Sequence, residues 1–405
     1  MARPNPTGPR IALLTLVVWA TATCTPFPTA PLTEVDGGDT GADSADTADN
    51  GDTDGAGRDA DDPDAAECVP VCDGARCGPD GCGNACGTCG AGEGCADDGA
   101  CTPAPWAMLV EDAVGFSGAV TGGTDGGLCT VTSLEDSGVG SLRGCLSRPP
   151  VWVRFAVAGR IGLIAPLRIP SHTTVDGRGQ RVILAGQPLL LASADNVILH
   201  NLTLDGTTYP ETAGIHIGGT SRGVWLHHLS VSRFKGAGLV VEDQASEVTL
   251  AWSFFTDLDA GALLGQSADG SDVRVTVHHN LFRAAGGFAP GVRGARVHLF
   301  NNVIESWDQV AAASFDEGQL HSERNLFQNA DGGLALTTMH RDEPQEGYTR
   351  SVEDAAGPSV VIEQNRPELV FQPSDSYPYS VEEPDDALRT AVNRGAGYRD
   401  EAFPE

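Results

Sequence analysis

The chain has 405 residues, with 25 Lys and Arg against 55 Asp and Glu, so its net charge is −30. This excess of acids argues against nucleic-acid binding, because phosphate contacts need clustered Lys and Arg. An apolar share of 40% excludes a wholly disordered chain. The length predicts two to four structural units at about 100–200 residues each.

Residues 1–23 have the features of an export signal. Arg3 and Arg10 precede an apolar run at residues 11–22, which is shorter than the roughly 20 residues that span a bilayer. Cys24 follows directly, in the sequence TATC, which resembles a bacterial lipoprotein cleavage site. We expect a lipid on Cys24 that holds the protein at the outer membrane or cell surface. The alternative is ordinary signal cleavage and a secreted protein.

Residues 24–67 are predicted to be a disordered linker. Between residues 33 and 67 the chain carries 13 acids and one base, Arg58, and almost no large apolar side chain. Such a segment cannot bury enough surface to offset its ordering entropy, and its like charges extend it. We interpret it as a spacer between the membrane surface and the rest of the chain.

Residues 68–101 form a predicted disulfide-rich module. Eight cysteines in this short, Gly-rich segment leave little room for an apolar core, so cross-links must stabilise it. The C-x2-C spacing of Cys86 and Cys89 is also found in zinc sites, but no His lies in the segment. The pairing is open among 105 possibilities. The eight are Cys68, Cys72, Cys77, Cys82, Cys86, Cys89, Cys95 and Cys101.

Residues 102–405 contain a recurring phrase of β-branched residues, a polar residue and an apolar pair. The polar residues recur at intervals of 27, 25, 27, 22 and 23, and they are Asn201, His228, Ser253, Asn280, Asn302 and Asn325. A repeat of this length with strand-forming residues predicts a solenoid in which each coil has three short strands. The recurring polar residue predicts a buried hydrogen-bond ladder along the axis. The predicted fold class is all-β, a right-handed parallel β-helix; a β-sandwich is the competing interpretation.

Several segments between about residues 115 and 329 carry a resemblance to a known family. They are GFSGAVTGGTDGG (115–127), VTSLEDSGVGSLRGCL (131–146), VDGRG (175–179) and the phrases VWLHHLSVS, VTVHHNLF and VHLFNNVI. These segments resemble the pectate lyase family, polysaccharide lyase family 1. The resemblance implies a right-handed parallel β-helix that cleaves galacturonan by β-elimination, with calcium bound by protein acids and an Arg as the base.

The residues that the resemblance implies for the reaction are mostly replaced in this chain. Five of the six positions hold residues that can neither bind calcium nor abstract a proton, and the sixth is Arg293. The five are Gly214, Gly236, Val240, Ala260 and Phe288. We therefore expect Arg293 and Phe288 to contact substrate, with Arg293 as the one catalytic candidate. No cofactor is expected, and calcium binds only if the lyase activity holds.

Three acidic residues near the lost positions could rebuild a cation site: Glu211, Glu242 and Asp259. The alternative is that they are solvated loop acids. The histidines on the strands show no spacing typical of a metal site. Cys129 and Cys145 are predicted to form a disulfide that ties down the first coil. Residues 385–397 are predicted to form a helix ending at Gly395, as part of a C-terminal cap over the last coil.

Three functions remain open at this point. The first is an exported protein that binds acidic, uronate-containing polysaccharide of cell walls or the extracellular space. The second is an active polysaccharide lyase with a relocated site, and the third is a structural surface protein or adhesin. The expected partner is a polysaccharide, with no nucleic acid and with membrane contact only through the lipid.

Overall fold

The structure is a computed structural model that describes residues 72, 86–87, 93–95, 100–103, 109, 113–207, 213–265, 272–308, 310–338 and 346–404. All of them belong to the second of two compact units, Glu67–Glu405. The predicted signal peptide, Cys24 and the acidic linker lie outside the described residues, as do Cys68, Cys77, Cys82 and Cys89. None of the described helices is long and apolar enough to cross a membrane.

The fold is a parallel β-helix, which confirms the all-β solenoid predicted from the repeat. Each coil contributes one short strand to each of three parallel sheets, here called A, B and C. Sheet A contains Gly127–Val131, Val151–Phe155, Thr173–Asp176, Asp195–His200, Arg222–His227, Ser246–Ala251, Arg274–His278, Arg296–Phe300, Gln319–Glu323 and Tyr348–Val352. Sheet B contains Gly159–Leu163, Val182–Gly186, Thr203–Asp205, Ser230–Ser232, Phe254–Thr256, Leu281–Arg283, Val303–Glu305, Leu326–Gln328 and Ala355–Ala356. Sheet C contains Leu167–Arg168, Leu189–Ala192, Ile215–Gly218, Ala237–Val241, Ala260–Leu264, Gly291–Arg293, Val310–Phe315, Gly333–Thr338 and Val360–Ile362.

The remaining described elements are few. An antiparallel pair, Glu93–Cys95 with Cys101–Pro103, lies in the predicted disulfide-rich segment. A disulfide joins Cys72 to Cys86 there, which favours cross-links over zinc in this module. The α-helices are Leu142–Leu146 and Asp386–Gly395, and the 3-10 helices are Pro367–Leu369 and Pro373–Asp375.

The strand register places equivalent side chains directly above one another in successive coils. In sheet A, Leu199 pairs with Leu226, which in turn pairs with Leu250, and all three are fully buried. Because side chains alternate along a strand, the residues on either side of these leucines face outward. The interior is therefore a set of apolar stacks, and the outer faces are free to vary in chemistry.

A ladder of buried polar residues runs along the turn between sheets A and B. The Oδ1 atom of Asn302 accepts hydrogen bonds from the backbone N–H and the side-chain Nδ2 of Asn280, at 2.9 and 3.0 Å. In the same way, Oδ1 of Asn325 accepts from the backbone N–H and Nδ2 of Asn302, and Oδ1 of Asp354 accepts from the backbone N–H and Nδ2 of Asn325. At the other end the backbone N–H of Ser253 donates to Asn280. The ladder predicted from the repeat exists from Ser253 onward.

The prediction was wrong for the first two positions of that ladder. Asn201 and His228 lie one residue earlier than the ladder site, which Leu202 and Leu229 occupy through the register Thr203 with Ser230. Both polar residues adopt left-handed φ angles, 57° and 53°, at the outward bend between the sheets. The recurring phrase could not reveal this shift of one residue, because in these two coils, as in the later ones, a polar residue directly precedes an apolar one.

The first coil is held by a short helix and a disulfide. The Ser141 hydroxyl accepts a hydrogen bond from the Gly144 backbone N–H and so caps the helix Leu142–Leu146. Leu142 buries its side chain in the main core. A disulfide joins Cys145 of this helix to Cys129 in the first strand of sheet A, the pair expected from the sequence.

The C-terminal segment closes the solenoid in a way the sequence did not predict. Asn365 exchanges two backbone hydrogen bonds, of 3.0 and 3.2 Å, with Thr349 of the last strand of sheet A, so the free edge is covered. Rather than ending as a cap there, residues 371–404 run back along the side of the coils. Near the opposite end the Gly179 N–H donates to the Glu401 carbonyl at 2.6 Å.

The helix Asp386–Gly395 agrees with the helix predicted at residues 385–397. Asp385 caps it by accepting hydrogen bonds from the N–H groups of the next turn. Leu388 and Val392 pack against apolar residues of three successive strands of sheet B. This amphipathic pattern explains why its position was readable from the sequence.

Truncating the ladder is expected to destabilise the whole β-helix. Asn302→Ala removes the acceptor for two groups of Asn280 and the Nδ2 bonds to the Val277 and Phe300 carbonyls. Because these groups remain buried, we expect a loss of about 3 kcal/mol or more in the free energy of unfolding, measured by urea titration. Asn393→Ala, in an exposed helical position, is the control and should change it by less than about 0.5 kcal/mol. Equal effects of the two variants would contradict the ladder's role.

Candidate functional site

The positions to which the resemblance assigns the reaction are grouped along sheet C. These positions lie in or beside consecutive strands of this sheet. They are Gly214 and Gly236 before a strand, Val240 and Ala260 within one, and Phe288 and Arg293 before and at the end of Gly291–Arg293. In-register pairing of Val240 with Leu263, and of Leu263 with Gly291, makes this one continuous lateral face.

The sheet C face has two edges, and the candidate residues divide between them. Asp259 and Phe288 come before their strands, at the edge that follows sheet B, but the Phe288 side chain extends over Gly291 toward the opposite edge. Glu242 and Arg293 come at or after the ends of their strands, at the opposite edge. Since Ala237 pairs with Ala260, Glu242 lies about six residues, or roughly 20 Å, further along the strand direction than Asp259.

The structure therefore does not bring Glu242 and Asp259 together as ligands of one cation. Side chains at opposite strand ends cannot share an ion that binds oxygens at about 2.3–2.6 Å. The third member of the predicted set, Glu211, lies outside the described residues. Asp259 is exposed, and Glu242 has a protein partner.

That partner is His216, one strand away. Nε2 of His216 lies 2.6 Å from Oε1 of Glu242, and each side chain is 35% exposed. The hydrogen bond with Glu242 raises the pKa of His216 above 6.5, against the opposing effect of burial. The same bond lowers the pKa of Glu242 below 4.5. Near pH 5 to 6 the two residues thus form a true ion pair on the sheet C face.

Arg293 lies within an aromatic and charged patch, which we define as Phe288, Arg293, Phe315 and Asp316. Arg293 donates a hydrogen bond from Nε to Asp316, and its side chain remains 40% exposed. Its cross-strand neighbour is Phe315. The rings of Phe315 and Phe288 meet edge to face, with centroids 5.5 Å apart. Both rings are half-buried, so the patch offers apolar edges beside a guanidinium.

The residues of the sheet C face do not fit a calcium ion. Gly214, Gly236 and Val240 supply no side-chain oxygen, whereas Ca²⁺ takes six to eight oxygen ligands. Glu242 is engaged by His216, and Asp243 accepts the backbone N–H of Gly219 at 2.9 Å. Within the described part of the chain, the group of three converging metal-binding side chains lies on sheet A and not here. No reaction step through calcium follows from this arrangement.

A concave region that was not predicted from the sequence lies between sheet A and the C-terminal segment. It has a volume of about 650 Å³. Its walls include His227, His228, His279, Trp252 and Tyr379. The rings stack along the axis, with 4.6 Å between the centroids of Trp252 and His279. The coil-length spacing of these residues was the signal that could have revealed the stack.

Comparison with known proteins gives the family. The sequence profile described as pectate lyase matches residues 164–382, which is more than half of the chain. The chain belongs to the pectate lyase family. A probable pectate lyase of Arabidopsis thaliana is 32% identical over 235 residues, which covers 54% of this chain and 63% of that protein. A pectate lyase of Cryptomeria japonica is 29% identical over 255 residues, 55% of this chain and 68% of its own length.

Solved structures share the fold. The crystal structure of Jun a 1, the major cedar-pollen allergen, matches with a TM-score of 0.64 at 24% identity and covers 73% of this chain and 95% of that one. A pectate lyase of Bacillus sp. N165, solved in complex with trigalacturonate, matches with a TM-score of 0.52 at 17% identity, covering 70% and 98%. At these identities the likeness establishes the architecture alone.

The chain spans less than two thirds of the Arabidopsis relative that it matches. The family match establishes the pectate lyase fold. Because the coverage of this relative is partial, the activity has to be argued from the residues present on the surface of this chain.

The His216–Glu242 pair is expected to give a measurable pH signature. Its stabilising effect is present below the ordinary histidine pKa of 6.5, is lost as pH rises through the raised pKa of His216, and is also lost at acidic pH as Glu242 protonates. Glu242→Gln should lower the pKa of His216, followed by NMR, and should destabilise the fold near pH 5.5 by less than about 1 kcal/mol, since both groups are partly exposed.

Glu247→Gln is the matched control for this measurement, because Glu247 pairs with Arg274 elsewhere. It should leave the His216 titration unchanged. An unaltered His216 pKa in Glu242→Gln would show that the pair does not form in solution.

Proposed function

We propose that this protein binds an acidic, uronate-containing polysaccharide along the sheet C face and does not cleave it by the calcium-dependent reaction of its family. The single observation that supports this is the contrast within one face. Five of six reaction positions carry side chains without the needed chemistry, while Arg293 persists beside two aromatic rings.

The aromatic and charged patch supplies two kinds of sugar contact. The exposed edges of Phe288 and Phe315 offer apolar surface on which a pyranose ring can pack. A guanidinium has five N–H donors, and the hydrogen bond to Asp316 uses the Nε donor of Arg293. The terminal amino groups then suit a uronate carboxylate, which accepts two parallel hydrogen bonds from arginine.

Catalysis would need a base at the sugar C5 and a cation on its carboxylate. Phe288 stands where the resemblance places the base, and a phenyl ring cannot accept a proton. Of the acids at the opposite edge, Glu242 is held by His216 and Asp316 by Arg293. These two features support binding without β-elimination over the alternative of a relocated lyase site.

The decisive experiment is calorimetric titration of the purified protein with galacturonate oligomers at physiological ionic strength. Arg293→Ala should weaken binding by about 10- to 100-fold, because a charge-assisted hydrogen bond contributes about 1.5–3 kcal/mol. Arg296→Ala is the matched control, since Arg296 is similarly exposed but belongs to sheet A, where it pairs with Asp272. EDTA should leave the affinity of the native protein unchanged.

The same samples distinguish binding from cleavage. Ultraviolet absorbance of an unsaturated product, measured with calcium at alkaline pH, should stay at the level of the buffer. Product formation would overturn the non-catalytic part of the proposal. Failure to bind any uronate polymer, or equal losses in Arg293→Ala and Arg296→Ala, would overturn the binding part and leave the structural surface role.

We further propose that the protein is exported and held at a cell surface by lipid on Cys24. The support is the order of basic residues, apolar run and cysteine at the start of the sequence. A single modified cysteine followed by an acidic linker would keep the β-helix clear of the membrane. Cys24→Ser should move the protein from the membrane fraction to the soluble exported fraction. Retention of the variant in the membrane fraction would contradict lipid anchoring.

A further inference from the structure

Three side chains capable of binding a metal converge on the outer face of sheet A. His298 pairs with His321 in the register of the neighbouring strands Arg296–Phe300 and Gln319–Glu323. Glu323 lies two residues beyond His321 and therefore points to the same face. His298 and His321 are one coil apart, and His321 and Glu323 are two residues apart on one strand. The pairing of the strands therefore brings the three side chains together.

The distances among their ligand atoms suit one small ion. Oε2 of Glu323 lies 3.4 Å from Nε2 of His298 and 3.9 Å from Nε2 of His321. All three ligand atoms lie within 4.8 Å of one another. A tetrahedral zinc ion with ligands at about 2.0–2.2 Å holds them about 3.3–3.5 Å apart, so small side-chain adjustments complete the site.

The hydrogen bonds of His321 leave the lone pair of its Nε2 directed at the cluster. Nδ1 of His321 lies 3.2 Å from the backbone carbonyl of Phe371. A carbonyl oxygen can only accept, so Nδ1 carries the proton, and in the neutral ring Nε2 is an acceptor.

His298 presents an unpartnered buried nitrogen to the same point. Its side chain is fully buried, and Nε2 makes no hydrogen bond among the described residues. Nδ1 lies 2.7 Å from the hydroxyl of Tyr377, which is also 2.8 Å from the Thr276 hydroxyl. If Tyr377 donates to Thr276 it accepts from Nδ1–H of His298, and Nε2 of His298 is then a second lone pair facing Glu323.

With that tautomer, two imidazole lone pairs and the Glu323 carboxylate face one another, and they repel unless a cation lies between them. The Tyr379 hydroxyl donates to Oε2 of Glu323 at 2.9 Å, which relieves only part of that charge. Burying unpartnered nitrogen acceptors has a free-energy cost. A bound divalent ion would satisfy all three groups at once.

We propose that His298, His321 and Glu323 form a binding site for a divalent transition-metal ion, for which zinc is the best match. Two imidazoles and one carboxylate are a zinc-type ligand set, whereas calcium needs six or more oxygens. The other ring nitrogens hydrogen-bond to Phe371 and Tyr377, the arrangement that orients metal-binding histidines. Glu323 is 14% exposed, which gives the ion a route of entry.

The site would fasten the C-terminal segment to the coils. Phe371, Tyr377 and Tyr379 all belong to that segment, and each hydrogen-bonds one ligand. An ion that fixes the ligands therefore also fixes their partners. This metal site lies on sheet A, apart from the polysaccharide face on sheet C, and it holds or fails independently of the proposed binding function.

The test is titration of the full-length, oxidised protein, purified without a polyhistidine tag and stripped with EDTA, with ZnCl2. One equivalent should bind with a Kd in the micromolar range or below, and at a Zn²⁺ concentration about one hundred times Kd the Tm should rise by roughly 5 °C. Co²⁺ bound in its place should show the visible absorption of a tetrahedral site with nitrogen and oxygen ligands.

Glu323→Gln and His321→Gln should weaken Zn²⁺ binding by at least about tenfold and abolish the rise in Tm. His200→Gln is the matched control: His200 is equally buried on the outer face of sheet A, where its ring stacks on His227, and it should bind Zn²⁺ as the native protein does. Circular dichroism without metal shows whether each variant is folded. If the native protein binds no Zn²⁺, or if all variants bind it equally, the site does not exist.

Discussion

In-register stacking of parallel coils is the constraint on which the rest of this structure depends. Each strand pairs only with its equivalents one coil away, so every inward position must match its neighbours along the axis. Leu199, Leu226 and Leu250 satisfy this with apolar contact. Asn280, Asn302 and Asn325 satisfy it with hydrogen bonds that continue from coil to coil.

This constraint acts on inward residues and leaves the outward ones largely independent of it. The fold can therefore persist when residues on the sheet C face are exchanged, as is expected for the glycine, valine and phenylalanine at the positions to which the resemblance assigns the reaction. The same independence allowed sheet A to acquire a row of histidines and aromatic rings. One architecture thus carries two lateral faces of unrelated chemistry.

The fold was predictable from the sequence because the repeat directly reports coil length. The intervals of 22–27 residues gave the coils, and the Asn positions gave the ladder from Ser253 onward. The prediction failed at Asn201 and His228, where a polar residue one position earlier faces outward and contacts the C-terminal segment. Pattern alone cannot resolve a shift of one residue at a bend.

The sites were only partly predictable, for a related reason. Arg293 and Phe288 could be located because motifs anchor them, but their partners Asp316 and Phe315 follow from pairing between coils. The convergence of His298 with His321 was missed because their separation of 23 residues is a coil length, not a spacing within one element. Nor did the sequence indicate that residues 371–404 would run back along the coils.

That returning segment changes how the solenoid should lose its structure. Stacked repeats with contacts only between neighbours can fray from either end, one unit at a time. Here the C-terminal segment connects widely separated coils. The Arg399 backbone forms hydrogen bonds of 2.7 and 2.9 Å with Asn201, and the Phe371 carbonyl contacts His321, which lies more than one hundred residues after Asn201 in the chain. Peeling off a terminal coil would disturb contacts at the far end, so the molecule should melt cooperatively as one body.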